Sequence, residues 1–348
     1  MKQIAIFADN LNVGGIQKSI INMLKQIDYN KFIIDLYLFE KTTFYEIPPK
    51  VNVIFLKKPS KIHKFILFSI ERKILKIDIL PKEYDVAIDF DSYQMHTAIG
   101  TLSCKAKKKV IWIHNDIPIK LREEPKYRIL HFFFKGKYRY FDTFCAVSKG
   151  ALDSFKTLYY DINKDYRIIP NYINTEEINI KAEQPCELQI DRKKINIVNV
   201  GRLCHQKGID ILIEYVNKLK IYRKDFHLYL IGDGPDRKIL EKKVKELKLE
   251  DYITFLGNQK NPFKFLKLMD IFCFTSRYEG QGMVLLEAKA IGLQIVMPKS
   301  LEKYCPGIEG TDDIIKELRN AKKKKLNRDE LKKYNEEITN ELEKMFNS

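Results

Sequence analysis

Ile195-Asn-Ile-Val-Asn-Val200-Gly-Arg-Leu-Cys-His-Gln-Lys-Gly208 restarts, after a polar and aperiodic stretch, a pattern that has already run once through the chain. An apolar run of strand length passes through a short glycine-bounded loop into a segment of helical period. Upstream, Ile4–Phe7, Ile33–Phe39, Val53–Phe55, Val86–Ile88, Val110–Ile113 and Phe144–Val147 are the apolar runs, with helical period over Gln17–Ile27 and Gly150–Tyr159. Downstream the pattern predicts a helix near 208–220, then strand His227–Ile231, helix Asp236–Leu247 and strand Tyr252–Phe255. It continues with a short helix over Pro262–Met269, strand Ile271–Thr275, helix Gly282–Ile291 and strand Gln294–Met297. Strands alternating with crossover helices mean parallel sheets. The chain therefore reads as two Rossmann-like, doubly wound α/β domains, 1–175 and 176–325, with the linker in the polar stretch before Ile195 and a terminal helix over 326–348. Ligands of such sheets lie at the carboxyl ends of the strands, and two such domains create a cleft.

The 348 residues are 45% hydrophobic and 12% aromatic, with 15 Gly and 12 Pro, which excludes collagenous and low-complexity classes. Lys and Arg number 62 against 46 Asp and Glu, a formal charge of +16, so an anionic partner is expected: nucleic acid, a phosphorylated ligand or an acidic membrane surface. Half of that excess lies in residues 101–150, which carry 12 basic and 4 acidic side chains. Six cysteines without a CxxC pair, and a start at Met1-Lys2 without a secretory signal, predict a reduced cytoplasmic setting. No uncharged apolar run approaches the roughly 18 residues of a spanning helix, so membrane contact is expected to be peripheral.

The strongest chemical segment is Thr275-Ser-Arg-Tyr-Glu-Gly-Gln-Gly-Met-Val-Leu-Leu-Glu-Ala-Lys-Ala-Ile-Gly292. A strand, a two-glycine loop and a helix start present free amides and a positive helix end to a ligand. Glu279 on the loop and Glu287 inside the helix can accept hydrogen bonds from different hydroxyls of one molecule. Arg202 and Lys207, five residues apart on the loop after the strand ending at Val200, can both reach one diphosphate. Near the start, Gly14 and Gly15 open a helix in Ala8-Asp-Asn-Leu-Asn-Val-Gly-Gly-Ile-Gln-Lys18, without the third glycine of a dinucleotide fingerprint. His114 ends a strand and so stands where ligands bind.

These segments together resemble the retaining glycosyltransferases of the GT-B fold, family 4 type, whose signature is a pair of glutamates with seven residues between them. The resemblance covers most of the chain. It implies that Glu279 contacts the donor sugar and Glu287 the nucleoside ribose, with the amides of Gln281, Gly282 and Met283 near sugar and diphosphate. Arg202 and Lys207 would neutralise the leaving nucleoside diphosphate in place of a metal ion. Gly15 would face the donor diphosphate, Asn12 and Gly14 the acceptor, and His114 the reacting sugar, positioning or polarising it. No cofactor is expected, the nucleoside diphosphate sugar being a substrate. The family usually continues after the strand near Ile295 with a glycine-containing loop and a further long stretch, whereas here Lys299–Tyr304 leads quickly to Thr311.

Asp89-Phe-Asp91 carries the spacing of a metal-chelating pair, but it ends a strand within this pattern and no metal is expected there. Gly232-Asp-Gly-Pro235 reads as a turn, and Ile169-Pro-Asn-Tyr-Ile-Asn174 resembles the family's inter-domain element. Lys126–Tyr140 interleaves aromatic and basic residues, and Lys61–Lys76 has helical apolar spacing beside lysines; both suit an anionic leaflet. Nucleic acid is disfavoured, because no helix-turn-helix, RNP, KH or zinc pattern accompanies the charge. The expected activity is transfer of a sugar to a saccharide or lipid-linked saccharide in bacterial surface polysaccharide synthesis, at the inner face of the membrane. A nucleotide-sugar epimerase on the same fold and a non-catalytic basic membrane-binding protein are the alternatives.

Overall fold

The computed structural model describes residues 1–12, 14–58, 80–322 and 330–348. The expected stretch Lys61–Lys76, and most of the Lys322–Lys325 run, lie outside them. The chain divides into a first unit, Met1–Tyr172 with Asn335–Ser348, and a second, Ile173–Tyr334.

In the first unit, β1 (Lys2–Ala8), β2 (Phe32–Leu38), β3 (Asn52–Phe55), β4 (Leu80–Asp89), β5 (Cys104–Ile113), β6 (Thr143–Ala146) and β7 (Asp165–Ile168) form one sheet, in the order β3-β2-β1-β4-β5-β6-β7. Every pairing is parallel. Parallel strands are covered on both faces, which is why their cores read as unbroken apolar runs: Ile4, Ala5, Ile6 and Phe7 are all fully buried. Helices α1 (Gly15–Gln26), α2 (Met95–Leu102), α3 (Ile117–Glu123), α4 (Pro125–Phe134) and α5 (Lys149–Lys156) connect them. Asp116 caps α3 by accepting from the Ile119 amide at 3.0 Å, and Ser148 caps α5 through Ala151 at 3.1 Å. The terminal helix enters this unit from Asn335 onward, where Lys2 donates to the Phe346 carbonyl and Phe346 packs edge-on against Phe32.

The second unit holds α6 (Thr175–Ala182), β8 (Ile195–Val200), α7 (Ile209–Tyr222), β9 (Phe226–Ile231), α8 (Arg237–Glu246) and β10 (Ile253–Gly257). It continues with α9 (Phe263–Leu266), β11 (Ile271–Cys273), α10 (Met283–Ile291), β12 (Gln294–Val296), α11 (Ile314–Asn320) and the start of α12 (Glu330–Asn347). Its parallel sheet runs β10-β9-β8-β11-β12. The polar stretch read as linker contains α6, capped by Asn174 accepting from the Glu177 amide at 3.0 Å, with Ile178 and Ala182 in the core. A lone amphipathic turn of eight residues between charged neighbours leaves too little periodicity to read.

Candidate functional site

The second sheet reverses its order between β8 and β11, and ligands of open parallel sheets sit beyond the carboxyl ends of the strands at such a point. Loop 201–208 leaves β8 there and loop 274–282 leaves β11. Past the last paired residues, Val198 and Phe272, the buried Asn199 amide donates to the Cys273 carbonyl at 2.8 Å and ties the two strands. Gly208 has φ +62°, and a Cβ there would lie 2.1 Å from the Thr275 carbonyl oxygen, so only glycine lets the two loops approach this closely. Gly232, at φ +135°, is pressed against the Gly201 carbonyl at 1.9 Å from where a Cβ would stand. The Gly232–Pro235 segment is therefore a buttress for the β8 loop, which a plain turn would not require.

The loops bring Lys207 and Glu279 together: Nζ lies 2.6 Å from Oε1. Glu279 is 6% exposed and Lys207 half-buried, so the charge-assisted contact is shielded from water. Glu287 lies one turn into α10 and is 8% exposed. Arg202 is exposed and lines a pocket of about 400 Å³ with Gly201, Gly232, Asp233, Asn258 and Gln259. Asn258 and Gln259, just beyond β10, are pocket residues that the sequence reading passes over; their place after a strand was the available signal. It also passes over Arg277 and Asp210, a two-point ion pair between the β11 loop and the first turn of α7, signalled by an Arg two residues before Glu279 and an Asp three after Lys207.

At the start of α10, the Gly282 amide donates to the Tyr304 carbonyl at 3.3 Å and the Met283 amide to the Gln281 carbonyl at 2.9 Å. Two of the three amides expected at the sugar and diphosphate are thus engaged within the protein. The Gly282 bond comes from the short segment after Pro298, which forms a 3-10 turn over Lys299–Tyr304 and lays Tyr304 across the helix start, whereas the Met283 bond is local to its own loop. The Gln281 side chain donates to the Tyr334 hydroxyl at 2.6 Å. Cys305 packs beside Gly282, and burial, with the Glu279 charge adding to it, pushes its thiol up to about 12.

The first sheet reverses between β1 and β4. There Asp9 lies 2.7 Å from His96 Nε2 and 2.8 Å from Lys58 Nζ. Burial alone would raise the Asp9 carboxyl, but the hydrogen bonds from His96 and Lys58 outweigh it and hold the group well below the usual range. Asn12 donates to Glu40 at 3.2 Å, and Glu40 accepts from Lys58 at 2.6 Å. Gly14 precedes α1, and Gly15 has nothing within 4 Å of a would-be Cβ. Asp89 and Asp91 both turn inward: the Lys137 ammonium is 4.0 Å from Asp89, and Asp91 accepts from the Asp9 amide at 3.1 Å. Burial, with the charges of Asp89 and Asp9, raises the Asp91 carboxyl to about 6. Among the described residues no group of three or more His, Cys, Asp or Glu side chains could hold a metal ion.

His114 ends β5 buried against Phe90 and Trp112, ring centroids 4.6 and 6.4 Å away. Burial depresses its imidazole to about 3, so it is neutral near pH 7, and its buried Nε2 has no hydrogen-bond partner among the described residues. A neutral ring with one open nitrogen can orient a hydroxyl.

Residues 180–302 match the family model of glycosyl transferases, group 1. An uncharacterized glycosyltransferase of Methanocaldococcus jannaschii is 27% identical over 60% of this chain, an alignment that spans 53% of that relative's length. The N-acetylgalactosamine-N,N'-diacetylbacillosaminyl-diphospho-undecaprenol 4-alpha-N-acetylgalactosaminyltransferase of Campylobacter jejuni is 26% identical over 85% of this chain and 80% of its own. Among solved structures, Anabaena HepE in complex with UDP and glucose superposes with a TM-score of 0.67 at 15% identity, covering 100% of both chains. The two parallel sheets give the chain the GT-B fold, and fold and relatives together support a GT-B glycosyltransferase.

Proposed function

We propose that this chain transfers a sugar, with retention, from a nucleoside diphosphate sugar to a saccharide or lipid-linked saccharide, without a metal ion, in assembly of a bacterial surface polysaccharide. The observation that carries the reading is the Lys207–Glu279 pair at the switch point of the second sheet, beside the Arg202 pocket. When the bond from the anomeric carbon to the β-phosphate oxygen breaks, the diphosphate gains charge, and Lys207 and Arg202 stabilise it. Glu279 accepts from hydroxyls of the sugar and Glu287 from those of the ribose. The acceptor oxygen bonds to the anomeric carbon on the face the diphosphate leaves, and its proton passes to the departing phosphate oxygen. His114, neutral, orients a hydroxyl of the reacting sugar, while Asn12, Gly14 and Gly15 serve the acceptor and diphosphate.

Two features support a lipid-linked acceptor and a site of action at the inner face of the membrane. The Campylobacter relative is named for a diphospho-undecaprenol-linked substrate. Residues 101–150 hold half of the net charge, and on α4 Ile129 and Phe132 are 61% and 68% exposed beside exposed Arg128 and Lys135. No described helix is long and apolar enough to cross a membrane. Sedimentation with vesicles tests this part: binding to phosphatidylglycerol-containing vesicles, reduced by Ile129→Ser with Phe132→Ser, supports it, and equal binding to neutral vesicles contradicts it. For the chemistry, donor sugars incubated with lipid extract in chelator must release nucleoside diphosphate. A strict need for a divalent ion contradicts the reading, and a new sugar isomer formed from donor alone shows an epimerase instead.

A further inference from the structure

Lys207 and Glu279 belong to different loops, and 72 residues of chain separate them. Their 2.6 Å contact therefore depends on what fastens one loop to the other. The residues around Lys207 are each bonded to residues just before Glu279. Thr275 Oγ1 donates to the Gly208 carbonyl at 3.0 Å, the Arg277 amide to the Gln206 carbonyl at 2.8 Å, and the Gln206 side chain to the Tyr278 carbonyl at 3.1 Å. The Arg277 guanidinium completes the set. It donates to both oxygens of Asp210, on the first turn of α7, at 2.8 and 2.6 Å, and to the His205 carbonyl at 2.7 Å.

We propose that Arg277 is a positioning residue for the nucleoside diphosphate sugar: its fork, seated on Asp210 and the His205 carbonyl, sets the separation at which Lys207 and Glu279 serve the diphosphate and the sugar of one donor. This rests on the reading of the site given above. A planar guanidinium with donors at fixed angles can grip both oxygens of a carboxylate and a carbonyl in one set geometry, which the single nitrogen of a lysine cannot. The role is geometric rather than a matter of bulk stability. The two side chains are 27% and 41% exposed, and ion pairs that wet contribute little net stability. A misplacement of about 1 Å in a catalytic group, by contrast, costs on the order of 100-fold in rate.

The same helix supplies its own control. At the far end of α7, about 21 Å away along 14 residues, Arg223 makes the same kind of clamp: two bonds to Asp225 at 2.8 Å each, with bonds to the Leu318, Arg319 and Ala321 carbonyls at 3.2, 3.2 and 3.4 Å. It touches neither loop of the site.

Calorimetric titration with UDP, GDP, ADP and dTDP, alongside thermal melting, tests the assignment on wild type and on Arg277→Ala, Arg277→Lys, Asp210→Asn and Arg223→Ala. Arg277→Ala is expected to weaken the nucleoside diphosphate that wild type binds by roughly tenfold, with Arg277→Lys and Asp210→Asn falling between. Arg223→Ala is expected to lower the melting temperature at least as far while leaving affinity unchanged. Unchanged affinity in Arg277→Ala overturns the proposal, and so does an equal loss in Arg223→Ala, which would make the effect one of general stability. If wild type binds none of the four, the nucleotide reading itself fails, and the positioning role falls with it.

Discussion

Both sheets reverse strand order once, and both place charged side chains at the reversal, yet the two points are built to different ends. In the first unit the charges cancel among themselves: Asp9 is held by His96 and Lys58, Glu40 by Lys58 and Asn12, and Asp89 faces the buried Lys137. In the second, Arg277 is likewise held by Asp210, but the close pair of Lys207 with Glu279 stands beside a pocket rimmed by the exposed Arg202. A network whose charges are paired with one another orients and rigidifies. A lysine whose only close anion among the described residues is a neighbouring carboxylate can exchange that anion for a diphosphate, which is the difference expected between a scaffold for the acceptor's sugar and a site for a charged donor.

The largest effect that could break this contrast is on transfer rate. Lys207→Ala or Glu279→Ala is expected to lower kcat on the order of 100-fold or more, while Lys58→Met, in the paired network of the first unit, changes it far less; equal losses would erase the distinction. Next, Gly232→Ala forces a side chain into the Gly201 carbonyl and off φ +135°, and is expected to cost about 2 kcal/mol or more in denaturant unfolding. An unaltered midpoint would mean that the β8 loop has slack.

The third effect is on stability against pH. With its folded value near 3 and its unfolded value near 6.5, His114 takes up a proton in the unfolded chain first, so its contribution is complete above pH 6.5 and declines as pH falls toward 3. Asp91, raised to about 6, acts in the opposite sense, losing stability as pH rises through 4 to 6. His114→Phe should therefore flatten the acid-side loss by at most about 1.4 kcal/mol per pH unit, seen as a smaller drop in unfolding midpoint between pH 7 and pH 4. The smallest effect is the most specific. In Glu279→Gln the carboxylate that occupies Lys207 is gone, so UDP alone is expected to bind severalfold tighter while UDP-sugar loses its advantage over UDP; weaker UDP binding would show that Glu279 supports the diphosphate instead of competing with it.

Much of this was legible in the sequence because parallel strands are buried on both faces. Ile195–Val200 and Ile271–Cys273 announce themselves as apolar runs, and Arg202, Lys207, Glu279 and Glu287 follow at their ends. The clamp between Arg277 and Asp210 was not, since an arginine on a loop and an aspartate in a helix's first turn are ordinary residues until the fold juxtaposes them. Nor was the engagement of the Gly282 amide, which follows from Tyr304 folding back across α10. The glycines of 232–235 read as turn residues, yet their requirement comes from the backbone of Gly201 and Leu203, 31 residues upstream of each, and sequence spacing carries no trace of such contacts.

The central claim is that the second unit holds a nucleoside diphosphate through Lys207 without a metal. Calorimetric titration of UDP, GDP, ADP and dTDP in chelator, into wild type and Lys207→Ala, tests it most directly. The account predicts that wild type binds at least one of them and that Lys207→Ala binds it roughly tenfold or more weakly; undiminished affinity in Lys207→Ala, or binding only when a divalent ion is restored, would contradict it.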